Sequence, residues 1–286
     1  MPGEVLKAGL IGQGIAASLT PAMQESEARA HGLSLSYLRF DTLHTPWSDK
    51  SLSALIHDAH ADGFVGLNVT HPYKVAILDH LDELSDAAQR IGAVNTIIFD
   101  GHLKVGHNTD HIGFKAALLA HSFSQQIKTV LLLGAGGAAA AVAWAILDSG
   151  VERLLIYDQV EEKTNLLCRH LTRYAQATDI VAIDALNAQV INSAGGIVNS
   201  TPMGMRAYPG EAIDVSLISK NTWVCDIVYF PLETSFLSKC KAKGCQVING
   251  SFMAVGQAAA SFELFTGKPA DRARMFDTFT AAQPVA

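Results

Sequence analysis

Residues 130–158, VLLLGAGGAAAAVAWAILDSGVERLLIYD, run through a strand, a glycine-rich turn, a helix and a second strand without interruption. Val130 to Leu133 is a short apolar run of the kind that forms a strand buried on both faces. Gly134, Ala135, Gly136, Gly137 and Ala138 follow at once, so the turn is tight. The Ala-rich segment from Ala138 to Leu147 favours helix, Gly150 stands where a helix would end, and Leu154 to Tyr157 reads as the next strand, closed by Asp158. A lone G-x-G-x-x-G/A match is weak, because such turns also serve plain close packing. Here the glycines lie between a predicted strand and a predicted helix, and an acidic residue follows about 20 positions on. Backbone N–H groups at a helix N-terminus can meet a pyrophosphate, since a missing Cβ admits the anion and the helix dipole favours negative charge. The implied ligand is a dinucleotide. Asp158 has a competing reading, as a cap for a helix beginning near Val160.

A chain of 286 residues suits two domains. The formal net charge is −6 and no basic run occurs, which argues against a nucleic-acid surface. The opening MPGEVLKAGLIG reads as neither a secretory signal nor a membrane span, and the expected compartment is the cytoplasm. Cys168, Cys225, Cys240 and Cys245 have no C-x-x-C spacing and no His in register, so they read as structural thiols and no metal is expected.

From the start, Lys7 to Gly12 reads as a strand, and a helix is expected with Thr20 as N-cap and Pro21 in its first turn. Ser18 and Thr20 are two apart, so in extended chain their hydroxyls point the same way, beside a helix N-terminus that attracts anions. Cap and carboxylate site stand level at this point. A strand over residues 35–40, a helix over Leu52 to Ala61 and a strand over Phe64 to Thr70 follow, the last delivering Asn68, Thr70 and Lys74 into the turn His71-Pro72-Tyr73. Ligands bind at the carboxyl ends of strands in open α/β sheets, so Lys74 is either a chemical group or a solvated lysine. Ile91 to Ile98 reads as a strand with Asn95 in its middle, where an amide needs a partner. Asp100-Gly101 reads as a hairpin turn, and a helix from His111 to Ala120 makes the residues near Asp110 a domain join. Strands ending at Asn199, Val228 and Ile248 lead into polar loops, Phe252 to Phe265 is an apolar helix carrying Gln257, and Ala281 to Ala286 is expected to be a frayed tail.

Together these residues resemble the shikimate dehydrogenase family over nearly the full length: GLIG…SLTPAM at 9–23, NVTHPYK at 68–74, GAVNT at 92–96, NTD at 108–110, GAGGA at 134–138, NSTPMGM at 199–205 and MAVGQA at 253–258. The resemblance implies an α/β fold of two domains. A substrate-binding catalytic domain, 1–108 completed by C-terminal helices in 251–286, would hold a Rossmann-type NAD-binding domain, 109–250, inserted between its parts. It implies Lys74 and Asp110 as the catalytic pair, and Ser18, Thr20, Thr70, Asn95, Tyr229 and Gln257 as substrate contacts. Asn199, Thr201, Pro202, Met203, Val228, Gly250 and Met253 join Gly134 to Ala138 and Asp158 as cofactor contacts.

The chain departs from the common pattern with Thr20 where Ser is usual, His71 and Tyr73 before Lys74, Ala140 where Arg often follows the glycines, and Asp158-Gln159-Val160 where NADP-using members have Asn-Arg-Thr or similar. These departures look like the NAD-dependent quinate/shikimate dehydrogenase branch. The expected reaction is hydride transfer between NAD and a small cyclic hydroxy acid, interconverting shikimate and 3-dehydroshikimate or quinate and 3-dehydroquinate. The expected protein is a monomer or homodimer with no nucleic-acid or membrane partner. Two other readings are an aminoshikimate-type activity and a dinucleotide-binding regulator; the regulator is disfavoured because Lys74 and Asp110 are both present.

Overall fold

The computed structural model describes residues 5–121, 128–175 and 177–283, so residues 284–286 of the expected tail lie outside it. The chain divides into two compact units, Met1–Thr109 with Val255–Ala286, and Asp110–Ala254.

The second unit contains residues 130–158. Its elements are α4 (Asp110–Ala120), β7 (Thr129–Leu133), α5 (Gly137–Asp148), β8 (Arg153–Tyr157), α6 (Glu161–Thr172), β9 (Asp179–Ala182), α7 (Ala188–Ser193), β10 (Gly196–Asn199), β11 (Trp223–Asp226), α8 (Ser235–Ala242) and β12 (Val247–Ile248). The six strands lie in the order β12-β11-β10-β7-β8-β9, and every pair is parallel. Strand order reverses between β7 and β10, which makes the crevice beyond their carboxyl ends the ligand position of a Rossmann sheet. Leu131, Leu133, Leu155, Ile197 and Val224 are buried between the flanking helices, which is why these strands read as unbroken apolar runs.

The first unit runs through β1 (Leu6–Gly12), α1 (Thr20–Ala30), β2 (Leu35–Asp41), α2 (Leu52–Ala61), β3 (Gly66–Val69), a 3₁₀ turn (Ala76–His80), β4 (Glu83–Leu84), α3 (Asp86–Ile91), β5 (Thr96–Asp100) and β6 (Leu103–His107). Its sheet has the order β2-β1-β3-β5-β6-β4. β1 is parallel to β2 and β3, while β5 is antiparallel to β3 and β6. Ile11, Phe40, Leu55, Leu67, Ile77 and Ile97 form its main core. The chain returns through α9 (Ser251–Thr266) and α10 (Arg272–Ala281).

Two expectations require correction. The stretch Ile91 to Ile98 is not one strand: Ser85 caps α3 by accepting from the Ala88 N–H, Gly92 ends that helix in the left-handed region at φ 71°, and β5 starts only at Thr96. Thr20 is not the cap of α1; Leu19 occupies that position without a side-chain bond, and Thr20 is the first helical residue.

Candidate active site

In the second unit the glycine-rich turn leaves the end of β7 and enters α5. Gly134 has φ 101°, and a Cβ there would lie 3.0 Å from Ser200 Oγ, so the turn and the end of β10 are in close contact. Gly136 is the N-cap of α5 and supplies no side-chain bond. A Cβ on Gly136 would meet no atom of the described residues within 4 Å, so the space beside the start of α5 is open there; the N–H groups of a helix's first turn lack intrahelical acceptors, and such a terminus can receive a phosphate.

Asp158 follows β8. Its Oδ2 accepts the Ala135 N–H at 2.8 Å and its Oδ1 the Val160 N–H at 2.9 Å. The N-cap of α6 is Val160, so Asp158 forms a turn ahead of the helix rather than capping it. Its carboxylate fastens the glycine-rich turn to the end of the neighbouring strand.

The ends of β10 and β11 share a buried polar network. Asn199 donates from Nδ2 to Asp226 Oδ1 at 3.0 Å and to the Met203 carbonyl at 3.0 Å, and its Oδ1 accepts from the Thr201 N–H and hydroxyl. Asp226 also accepts from Thr234 Oγ1 at 2.7 Å and from the Val228 N–H at 3.0 Å. Burial pushes the Asp226 carboxyl up to about 6, against these hydrogen bonds. Thus Asn199, Thr201, Met203 and Val228 are tied together, while Pro202 is exposed on the same loop. A Cβ on Gly250 would fall 2.3 Å from the Ile227 carbonyl, so the chain after β12 passes directly against the segment that follows β11. Met253 is buried on α9. Asp110, the first residue of α4, is buried. Its charge, after the larger effect of desolvation, raises the Tyr229 phenol.

The first unit gathers another group of side chains at the carboxyl ends of β1 and β3. The Ser18 hydroxyl lies 3.2 Å from Thr20 Oγ1 and accepts the Thr20 N–H at 3.3 Å. Thr70 closes β3 and packs against the end of β1, where a Cβ on Gly12 would meet Thr70 Cγ2 at 2.3 Å. The Val69 N–H donates to the Asn95 carbonyl and the Val94 N–H to that of Lys74, so Thr70, Lys74 and Asn95 surround one strand end. Asn95 is buried, donates to Thr109 Oγ1 at 2.9 Å and accepts the Thr109 N–H at 2.7 Å. Gln257 sits half-buried on α9, whose Ala258 carbonyl accepts from Gln24 of α1. Sequence reasoning did not single out Thr109 or Asp226; the NTD motif at 108–110 carried a signal for the first, and an acidic residue at the end of an apolar strand was the signal for the second.

Among the described residues no group of three or more His, Cys, Asp or Glu side chains is disposed to hold a metal, and no helix is long and apolar enough to cross a membrane. The four cysteines are free and buried.

A Rossmann unit inserted into a second α/β unit defines a two-domain class of protein. Comparison with known proteins narrows it. The model of the shikimate dehydrogenase substrate binding domain matches residues 10–97, and that of the shikimate 5'-dehydrogenase C-terminal domain matches residues 253–275. The chain is 43% identical over 274 residues to a quinate/shikimate dehydrogenase (NAD(+)) of Corynebacterium glutamicum, covering 95% of this chain and 96% of that protein. It is 42% identical over 273 residues to a shikimate dehydrogenase (NADP(+)) of an Arthrobacter species, covering 95% and 93%. Among solved structures, quinate dehydrogenase from Corynebacterium glutamicum in complex with NAD superposes with a TM-score of 0.91 at 42% identity, covering 98% of this chain and 100% of the other. The chain belongs to the shikimate dehydrogenase family.

Proposed function

We propose that the protein is an NAD-dependent dehydrogenase that interconverts a ring hydroxyl and a ketone on quinate, shikimate or both. The observation that carries the reading is Asp158, whose carboxylate is fastened to the glycine-rich turn at the end of β8 with no arginine among the next four residues. A carboxylate there accepts hydrogen bonds from the ribose hydroxyls of NAD and repels the 2′-phosphate of NADP. We assign cofactor binding to the Asp110–Ala254 unit and substrate binding to the other. The helix N-terminus after Gly136 fits a pyrophosphate, and the Asn199–Met203 loop, Val228, Gly250 and Met253 form the surface for the nicotinamide end. Bound there, NAD supplies the hydride acceptor.

In this reading Ser18 and Thr20 hold the substrate carboxylate with neutral hydroxyls at the start of α1, where the helix dipole favours negative charge. Thr70, Asn95, Tyr229 and Gln257 hold the ring hydroxyls. Lys74 takes the proton from the reacting hydroxyl as hydride leaves the same carbon, and Asp110 orients that exchange. The four free, buried thiols suit a reducing compartment, and we place the enzyme in the cytoplasm.

The test follows NADH absorbance with purified protein, NAD and either acid. Turnover of at least one is expected, and Lys74→Ala is expected to lower kcat by roughly 10²–10⁴-fold, the usual contribution of general acid–base catalysis. A Lys74→Ala variant retaining more than about a hundredth of wild-type kcat would remove Lys74 from that role.

A further inference from the structure

We propose that Tyr37, Asn68 and Thr96 are positioning residues for the reaction, acting as a buried one-way hydrogen-bond relay that fixes the amide of Asn95. The inference rests on the reading of Asn95 as a substrate contact and deepens it. Tyr37 lies in β2, Asn68 in β3 and Thr96 at the start of β5, and all are buried. Their order is set by which atoms can donate. Desolvation holds the Tyr37 phenol far above its ordinary range, so it stays protonated, and its hydroxyl donates to Asn68 Oδ1 at 2.7 Å. Asn68 Nδ2 donates to Thr96 Oγ1 at 3.0 Å and to the Asn95 carbonyl at 3.4 Å. A carbonyl only accepts, so the Asn68 amide cannot be turned round without setting two oxygens against each other. With its oxygen occupied by that donor, Thr96 directs its own hydrogen to Asn95 Oδ1 at 3.1 Å.

Asn95 Oδ1 receives a second donor, the Thr109 N–H at 2.7 Å. Its Nδ2 therefore faces Thr109 Oγ1 at 2.9 Å. An amide nitrogen carries two hydrogens, and the second has no acceptor among the described residues. Asn95 is only 3% exposed, and a buried N–H without a partner is costly, so a ligand oxygen is what completes it. The relay makes Asn95 a donor toward that ligand.

The experiment measures steady-state kinetics of Thr96→Val, which keeps the shape and removes the hydroxyl, with Thr96→Ser and Tyr37→Phe beside it. Thr96→Val is expected to lower kcat/KM for quinate or shikimate roughly 10-fold, with KM for NAD within about twofold of wild type. Thr96→Ser should restore most of the loss, and Tyr37→Phe should show a smaller loss of the same kind. Thermal melts identify a variant that is merely unfolded, in which case Tyr37→Phe, which keeps the ring, decides alone. A Thr96→Val enzyme with wild-type kcat/KM, or one whose KM for NAD rises as much as that for substrate, overturns the relay. Wild-type protein that turns over neither acid overturns the reading of the reaction and the relay with it; an active wild type with an unaffected variant overturns the relay alone.

Discussion

In the proposed reading the Asp158 carboxylate serves both the fold and the cofactor, with the same two oxygens. Each accepts one backbone N–H, from Ala135 and Val160, and each keeps a further lone-pair direction for a ribose hydroxyl. Overall similarity does not decide the cofactor, since relatives named for NAD and for NADP stand at 43% and 42% identity. The local charge does: Gln159-Val160-Glu161-Glu162 adds two acids and no base. Wild-type enzyme is therefore expected to have the higher kcat/KM with NAD. Asp158→Ser alone should lower kcat/KM for NAD by roughly 10- to 150-fold, the worth of a hydrogen bond to a charged group, without creating efficient use of NADP, because the glycine-rich turn also loses its tether. Adding Gln159→Arg should move the ratio toward NADP. Kinetics with both cofactors check this, and a wild-type preference for NADP would refute it.

At the scale of elements, the second unit depends on one close approach between neighbouring strands. Gly196 opens β10, and a Cβ there would fall 2.1 Å from the Trp223 ring of β11. Gly196→Ala is expected to destabilise the protein by about 1–3 kcal/mol through overpacking, seen as a lower urea midpoint at unchanged slope, with partial recovery when Trp223→Leu is added. A wild-type midpoint would show that the ring can move aside freely. This unit was the more legible one in sequence, because β7, β8 and β10 are apolar runs each followed by a turn that ends the pattern. The helix α3 was lost because it has only six residues and ends at Ile91, so that Ala93 and Val94 run on into the apolar pattern of β5. The Ser18 and Thr20 pair was found, yet Thr20 was misplaced by one position at the helix start, since a hydroxyl beside Pro21 looks the same as cap or as first residue. The pairings of Asn199 with Asp226 and of Asn68 with Thr96 were not readable at all. These partners come from strands 27 and 28 residues away, and spacing along the chain carries no trace of such pairing.

Over the whole molecule, the first unit is closed by the two ends of the chain, and the closure is partly electrostatic. Glu27 of α1 is fully buried and receives Nε and Nη2 of Arg274 in α10 at 2.8 and 2.9 Å, with the Asp271 N–H at 2.8 Å and the His31 ring at 3.2 Å. Burial pushes the Glu27 carboxyl up, but the hydrogen bonds from Arg274 and Asp271 outweigh it and hold the group below its ordinary value of 4.5. A lowered folded value means stability that is fully present above the ordinary value and is lost as pH falls through the folded one. Removing Arg274 leaves a buried carboxylate without its cation, the costly way to break such a pair, although α10 keeps its apolar anchors Met275 and Phe279. Arg274→Ala is therefore expected to lower Tm clearly at pH 7, and the gap from wild type should narrow as the pH is taken down through the ordinary value of 4.5, at which an unperturbed glutamate is half protonated. Melts of both proteins across that range test the point. A gap that stays constant with pH would mean that α10 is held by packing alone, and that Glu27 is not what fastens the last helix to the one that begins beside Ser18 and Thr20.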